Sequence, residues 1–286
     1  MTDVLVYAVA ARESTARKVL GAACQASGVG ARLELYGSSG SLYQRLGPRR
    51  AAPFPDVVLW FGPFAAQAAA LDGLLQPYQP SRVAEAAMHD PEWRWTTLDY
   101  ASIGVVGAPG VSTVQDLGSV ASLALADPER SEAGLSILLA TLDRARQAES
   151  DVERGWTWWQ ARVRRGVQLA EDDAGAIALV SDTGASHALT LAETGSAPVG
   201  LAPLPHAIGL AASSRNVDAA RRLLDRLTSA EAGARLGLSP WQAAGTGQLQ
   251  ALLSAAPPLD VEWCRQQYVS ARVHWAQSGF GPSMET

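Results

Sequence analysis

Hydrophobic positions along this chain fall into short runs and alternations, separated by stretches with helical spacing. Val4–Val9 is an unbroken apolar run that predicts a strand, and Ala10–Ser14 a loop. Over Thr15–Ala26, Ala16, Val19, Leu20 and Ala23 recur at helical spacing, and Ser27-Gly28-Val29-Gly30 supplies the stop. Arg32-Leu33-Glu34-Leu35-Tyr36 alternates and predicts a half-buried strand. It runs into Gly37-Ser38-Ser39-Gly40-Ser41, with a helix predicted from near Leu42. Pro53-Phe54-Pro55 breaks the chain before Asp56–Phe61, whose continuous apolar run suits a strand covered on both faces of a parallel sheet. Gly62-Pro63 then opens a helix over Phe64–Leu75, with proline in its favoured early position.

The pattern restarts after an irregular aromatic stretch, Met88–Asp99. Ala101–Val106 and Ser122–Ala126 read as strands, and Ser131–Arg146 and Asp151–Val163 as helices. Ala176–Val180 reads as a short buried strand ending in Ser181-Asp182-Thr183-Gly184, and His187 falls in a predicted helix. Pro198–Leu204 is extended, Ile208–Ala212 a strand and Val217–Thr228 an amphipathic helix. Leu249–Leu253 and Leu259–Ala276 are helical pieces of the tail. Strands alternating with helices of this length predict an α/β fold with mostly parallel sheets. Two lobes are expected, each a mostly parallel sheet flanked by helices. Residues 1–98 with about 205–240 form the first, 100–203 the second, and the tail 241–286 stays unassigned. Short ordered crossings of this kind can act as hinges.

Composition narrows the partners. The chain has 286 residues, 48% hydrophobic and 18% charged, as in globular proteins rather than disordered ones. A net charge of −5 without a long basic run argues against nucleic acid. No apolar stretch approaches the ~18 residues of a membrane span. Cys24 and Cys264 leave two options open, one disulfide or two free thiols, and neither has metal-ligand spacing. The opening MTDVLVYAVAARES shows no basic n-region followed by an apolar h-region.

Several phrases carry a resemblance when taken in order. They are Gly37-Ser38-Ser39-Gly40-Ser41; PDVVLWFGPF with DGLLQPY after it; ALADP with Ser131 and Gly134; Gly175-Ala176-Ile177-Ala178 with Ser181-Asp182; and IGLA leading into NVDAARRLL and TSAEAGARL. Over roughly Val4 to Leu236 the chain resembles the solute-binding proteins of ABC importers with the type II periplasmic binding fold. The branch is the one that includes ferric-iron, phosphonate, sugar-phosphate and thiamine binders. The resemblance implies a two-lobed monomer that closes on a small solute and delivers it to a membrane permease. It implies a periplasmic or extracellular location, with a cytoplasmic one left open, and neither catalysis nor a cofactor. Iron binders of the branch use adjacent tyrosines; the six tyrosines here are scattered, which disfavours ferric iron.

Candidate chemistry follows. A strand that ends in glycines and serines before a helix presents backbone N–H groups and hydroxyls at one point, with the helix dipole adding partial positive charge. Ser38, Ser39, Gly40 and Ser41 are therefore expected to hold an anionic or oxygen-rich group. In the fold implied by the resemblance, four more loops join them at strand carboxyl ends. These bring Arg12 as a bidentate partner, Phe61 as a packing face, Asp127 and Ser131 as helix caps or ligand donors, and Ser181, Asp182 and Thr183 at a strand end. Ser39→Ala is expected to weaken binding by roughly 1–3 kcal/mol while leaving the fold intact. His206 follows Pro205 near a crossing and is a candidate to reach the cleft. Asp172-Asp173 is expected at the wrong end of the sheet, as a solvated turn. The expected solute is a small anionic organic molecule: a phosphonate, a phosphate ester or a carboxylate. No G-x-S-x-G elbow, phosphate loop or H-E-x-x-H pair is present. An enzyme of the same two-lobed fold and a soluble sensory module remain the alternatives.

Overall fold

The computed structural model describes residues 3–9, 13–47, 53–81, 83, 88–107, 110–111, 114–182, 185–192, 197–198, 201, 203–229 and 258–278. The chain divides into two compact units, Met1–Tyr100 with Pro205–Ala251, and Ala101–Leu204 with Leu252–Thr286.

In the first unit, strand β1 (Asp3–Val9) leads through helix α1 (Glu13–Ser27) to β2 (Gly30–Tyr36). Helix α2 (Ser39–Leu46), β3 (Val57–Phe61), α3 (Pro63–Leu71) and β4 (Leu75–Gln76) follow. β1 pairs in parallel with β2 and with β3, so both edges of β1 are paired, and its Val4, Val6 and Ala8 are fully buried. Gly28 ends α1 at φ 66, a left-handed turn that glycine adopts without cost. The unit is completed when β10 (Leu204–Ala211) pairs antiparallel with β3 and with β4. The apolar stripe of α8 (Val217–Leu227), Ala219, Ala220, Leu223, Leu224 and Leu227, then packs in one core with Ala16, Val19, Leu20 and Ala23 of α1.

β5 (Thr96–Gly107) starts in the first unit and ends in the second. In the second unit come α4 (Val114–Leu117), β6 (Leu123–Ala126), α5 (Glu132–Glu149), α6 (Val152–Arg164), β7 (Val167–Ala170), α7 (Asp173–Asp182), β8 (His187–Ala192) and β9 (Ala197–Pro198). β6 pairs in parallel with β7 and with β8, while β5 runs antiparallel to β8 and to β9. The tail helix α9 (Val261–Gln277) docks here. Arg146 of α5 bridges Asp143 (2.7 Å) and Asp260 (2.8 Å), and the Trp159 and Trp275 rings meet edge to face at 5.5 Å.

Three sequence expectations change. Ala176–Val180 lies inside helix α7, and the strand it was read as is β7, just upstream. A run of five apolar residues does not by itself separate a buried strand from a buried helical turn. His187 sits in strand β8, not a helix. The helix after Pro63 stops at Leu71, and Gly73 at φ 68 turns the chain into β4. The piece Leu249–Leu253 lies outside the described residues.

Candidate functional site: the carboxyl edges of the parallel strands

In the first unit, β1, β2 and β3 end side by side at Val9, Tyr36 and Phe61. The Gly/Ser corner follows β2 and closes as a capping box. The Ser38 hydroxyl accepts from the Ser41 N–H, and the Ser41 hydroxyl accepts from the Ser38 N–H, each at 3.1 Å. Two donors are thereby satisfied reciprocally, with serine where the motif more often has glutamate. Ser39 is buried, and its hydroxyl accepts from the Gly62 N–H at 2.9 Å, tying the start of α2 to the end of β3. Gly40 is exposed at the second helical position, and its N–H makes no hydrogen bond with the described residues. A methyl group there would meet only the Ser38 hydroxyl, at 3.7 Å. Three serines thus build the corner, and the Gly40 N–H is left without a hydrogen bond to the described residues.

Phe61 is fully buried as the last residue of β3, paired with Ala207 of β10. Arg12 and Thr183 lie outside the described residues.

Beside the corner is a set of residues that sequence reasoning reached only in part. The β3–β10 register shifts by one residue between Ala207 and Gly209, opposite Trp60. Trp60 takes φ 50, a left-handed conformation that costs a bulky residue about 1–3 kcal/mol. Its indole Nε1 donates to Asp99 Oδ2 at 3.0 Å. The other carboxylate oxygen of Asp99 bonds His206 Nδ1 at 2.7 Å. Asp99 is fully buried, whereas the His206 side chain is 16% exposed. A backbone irregularity carried this signal, and no propensity or periodicity reports it.

In the second unit, β6 and β7 end at Ala126 and Ala170. Asp127 is buried, its N–H donates to the Ala170 carbonyl at 2.8 Å, and its carboxylate accepts from the Glu129 N–H at 3.0 Å. Ser131 caps α5, accepting from the Gly134 N–H at 3.4 Å. Because β7 precedes α7, Asp172-Asp173 belongs to this carboxyl edge, contrary to the sequence expectation. Asp172 accepts from the Gly175 N–H (2.8 Å) and Asp173 from the Leu191 N–H (3.0 Å). Ser181 and Asp182 close α7, ahead of the start of β8, at the amino end of these strands. With Glu129, Glu171 and Asp172 exposed, the edge of the second unit is acidic.

Among the described residues no cluster of three or more His, Cys, Asp or Glu could hold a metal ion, and no helix is long and apolar enough to cross a membrane.

The arrangement defines the fold of the type II periplasmic binding proteins: mixed α/β, largely parallel sheets flanked by helices. No protein-family model matches the chain, and no curated protein does. Among solved structures, it is similar to the periplasmic binding protein AfuA from Actinobacillus pleuropneumoniae, solved with exogenous fructose-6-phosphate bound. The TM-score is 0.72 at 14% identity, covering 97% of this chain and 98% of that one. Iron-bound HitA from Pseudomonas aeruginosa gives 0.74 at 13% identity over 96% and 99%. A periplasmic thiamin binding protein gives 0.69 at 17% over 95% of each chain. These neighbours are binding proteins of the iron, thiamine and sugar-phosphate branch.

Proposed function

We propose that the chain is the solute-capturing component of an ABC importer, working outside the cytoplasmic membrane and handing its solute to a membrane permease. It binds and does not catalyse. The solute is a small organic molecule with an anionic group, a phosphate ester, phosphonate or carboxylate. Arg12, Asp127 and Ser131 remain candidate contacts in this reading. Closure of the two units on the solute belongs to the proposal, and a fall in the radius of gyration on solute addition, by small-angle X-ray scattering, tests it.

The observation that carries the anionic class is the exposed Gly40 at the start of α2, whose N–H makes no hydrogen bond with the described residues, on the carboxyl edge where ligands of open α/β sheets gather. A few charge-assisted hydrogen bonds, each netting roughly 1.5–3 kcal/mol, reach the ~8 kcal/mol of micromolar binding. One observation favours a second reading, a solute with a cationic end: the exposed carboxylates Glu129, Glu171 and Asp172 of the second unit.

Native mass spectrometry of gently purified protein identifies any co-purifying compound. Titration calorimetry with fructose 6-phosphate, inorganic phosphate and thiamine then separates the readings. Saturable binding of either phosphate supports the first, and binding of thiamine alone the second. Turnover of a bound compound overturns both. Gly40→Ala gives a clean local check, because the added methyl meets nothing closer than 3.7 Å. Its expected outcome is unchanged or up to about 1 kcal/mol higher stability; alanine keeps the N–H, so a phosphate affinity lowered roughly tenfold would report the added methyl crowding an anion held there.

A further inference from the structure

His206 stands one residue inside the point where the chain re-enters the first unit, and Asp99 one residue before the point where it leaves. Asp99 is fully buried and accepts from Trp60 Nε1 on one oxygen and from His206 Nδ1 on the other. A carboxylate only accepts, so Nδ1 carries the proton and Nε2 is left as the nitrogen whose role is open. The imidazole is partly exposed, and Nε2 makes no hydrogen bond with the described residues. Its place on the sheet follows from the pairing. The next residue, Ala207, pairs with Phe61, which precedes the Gly62 whose N–H is bound by Ser39. His206 therefore lies on the same carboxyl edge as the Gly/Ser corner.

We propose that His206 is a solute-binding residue of this edge, with Asp99 as its positioning partner, and that Nε2–H donates to an oxyanion of the solute, a carboxylate or phosphate oxygen. This rests on the reading of the protein as a receptor for an anionic solute. A purely structural pin between β5 and β10 needs only the Nδ1–Asp99 bond and would leave Nε2 without a role. The buried carboxylate fixes the ring plane, and in the proposed complex each ring nitrogen donates, Nδ1–H to Asp99 and Nε2–H to the solute oxyanion. The bulge that turns Trp60 inward fixes the carboxylate in turn.

The test uses the full chain labelled with ¹⁵N-histidine and titrated with inorganic phosphate and then fructose 6-phosphate. The Nε2 resonance of His206 shifts on binding, while those of His89, His187 and His274 stay in place. Two variants separate positioning from contact. The amide of His206→Asn takes the place of Nδ1 and keeps the Asp99 bond, with no group where Nε2 was. Its melting temperature stays near that of the parent, and its Kd for the bound anion rises about 10- to 100-fold, as expected for a lost charge-assisted hydrogen bond. The longer amide of His206→Gln reaches the place of Nε2 and recovers part of the affinity. If the parent binds an anion but neither the His206 resonance nor the Asn variant's Kd changes, His206 is only a pin and the proposal falls. If neither anion binds the parent at millimolar concentration, the anionic reading itself falls, and this proposal with it. If the Asn variant does not fold, the resonance of the parent alone decides.

Discussion

Ser39 shows how one hydroxyl changes meaning once its surroundings are known. Its sequence context, between glycines at a strand–helix junction, suggests a ligand donor. In the structure the same oxygen is buried and accepts from the Gly62 N–H. Removing it leaves that amide without its acceptor, so Ser39→Ala should lower unfolding stability by about 1–3 kcal/mol. Chemical denaturation measures this. A loss below about 0.5 kcal/mol would mean that the Ser39–Gly62 bond contributes little, since surface changes commonly fall in that range. The earlier expectation of an intact fold and a pure binding defect is therefore replaced by one in which stability changes first. The cysteines are settled at the same scale: both are free. Burial pushes the Cys264 thiol far up, with Asp143 and Asp260 adding to it. Thiol titration of the native protein at pH 8 should leave Cys264 unmodified, with its reaction appearing only in denaturant.

At the level of elements, two junctions fix how helices meet strands. Gly134 lies where α5 crosses the end of β6, and a Cβ there would come within 2.0 Å of the Ala126 carbonyl oxygen. Only backbone movement relieves such a clash, so Gly134→Ala should cost about 3 kcal/mol or more. A melting temperature equal to the parent's would show that the β6–α5 crossing is looser than it stands here. At the opposite end of the first unit, Asp56 anchors β1 and the start of α8. Its oxygens accept from the N–H groups of Leu5, Arg215 and Asn216, the Ser214 hydroxyl and the Asn216 amide, at 2.7 to 3.1 Å. The helices with a clear stripe, α1, α5 and α8, were legible from spacing alone. β7, β8 and α7 were not, because short strands and a ten-residue apolar helix carry no period long enough to distinguish them.

For the whole molecule the consequence of Asp56 is acid sensitivity. Burial alone would raise its pKa, but the hydrogen bonds from Leu5, Ser214 and Asn216 outweigh burial and hold it below the ordinary carboxylate value. Asp90 is lowered in the same way, burial being outweighed by Arg94. A carboxylate with a lowered folded-state pKa contributes stability that is complete above the unfolded value, about 3.9. That stability is lost as pH falls through the folded value. Unfolding free energy should therefore drop below about pH 4. In Asp56→Asn the total should be lower by roughly 2–4 kcal/mol at neutral pH, with a shallower fall in acid. An identical acid slope in parent and variant, followed by urea denaturation from pH 5 to 2, would remove Asp56 from this account. The tail helix α9 belongs to the same scale. Its apolar residues announced a helix, but its docking on α5 depends on Arg146, paired with Asp143 one turn away, meeting Asp260 across more than a hundred positions of chain.

By itself the sequence determined the α/β class, the alternation of strand and helix in the first unit, the serine-glycine corner after β2 and the order of segments that resembles the periplasmic binding proteins. These are local properties, written in periods of two and 3.6 residues and in turn chemistry. Tertiary structure decided which hydroxyls of that corner are consumed internally, that Asp172-Asp173 stands at a carboxyl edge, and that Asp99 and His206 meet beneath the bulge at Trp60. Those facts depend on strand order, register and a single shifted residue in the β3–β10 pairing. A one-residue shift re-aims side chains across a sheet without altering any local pattern, so nothing short of the assembled strands reports it.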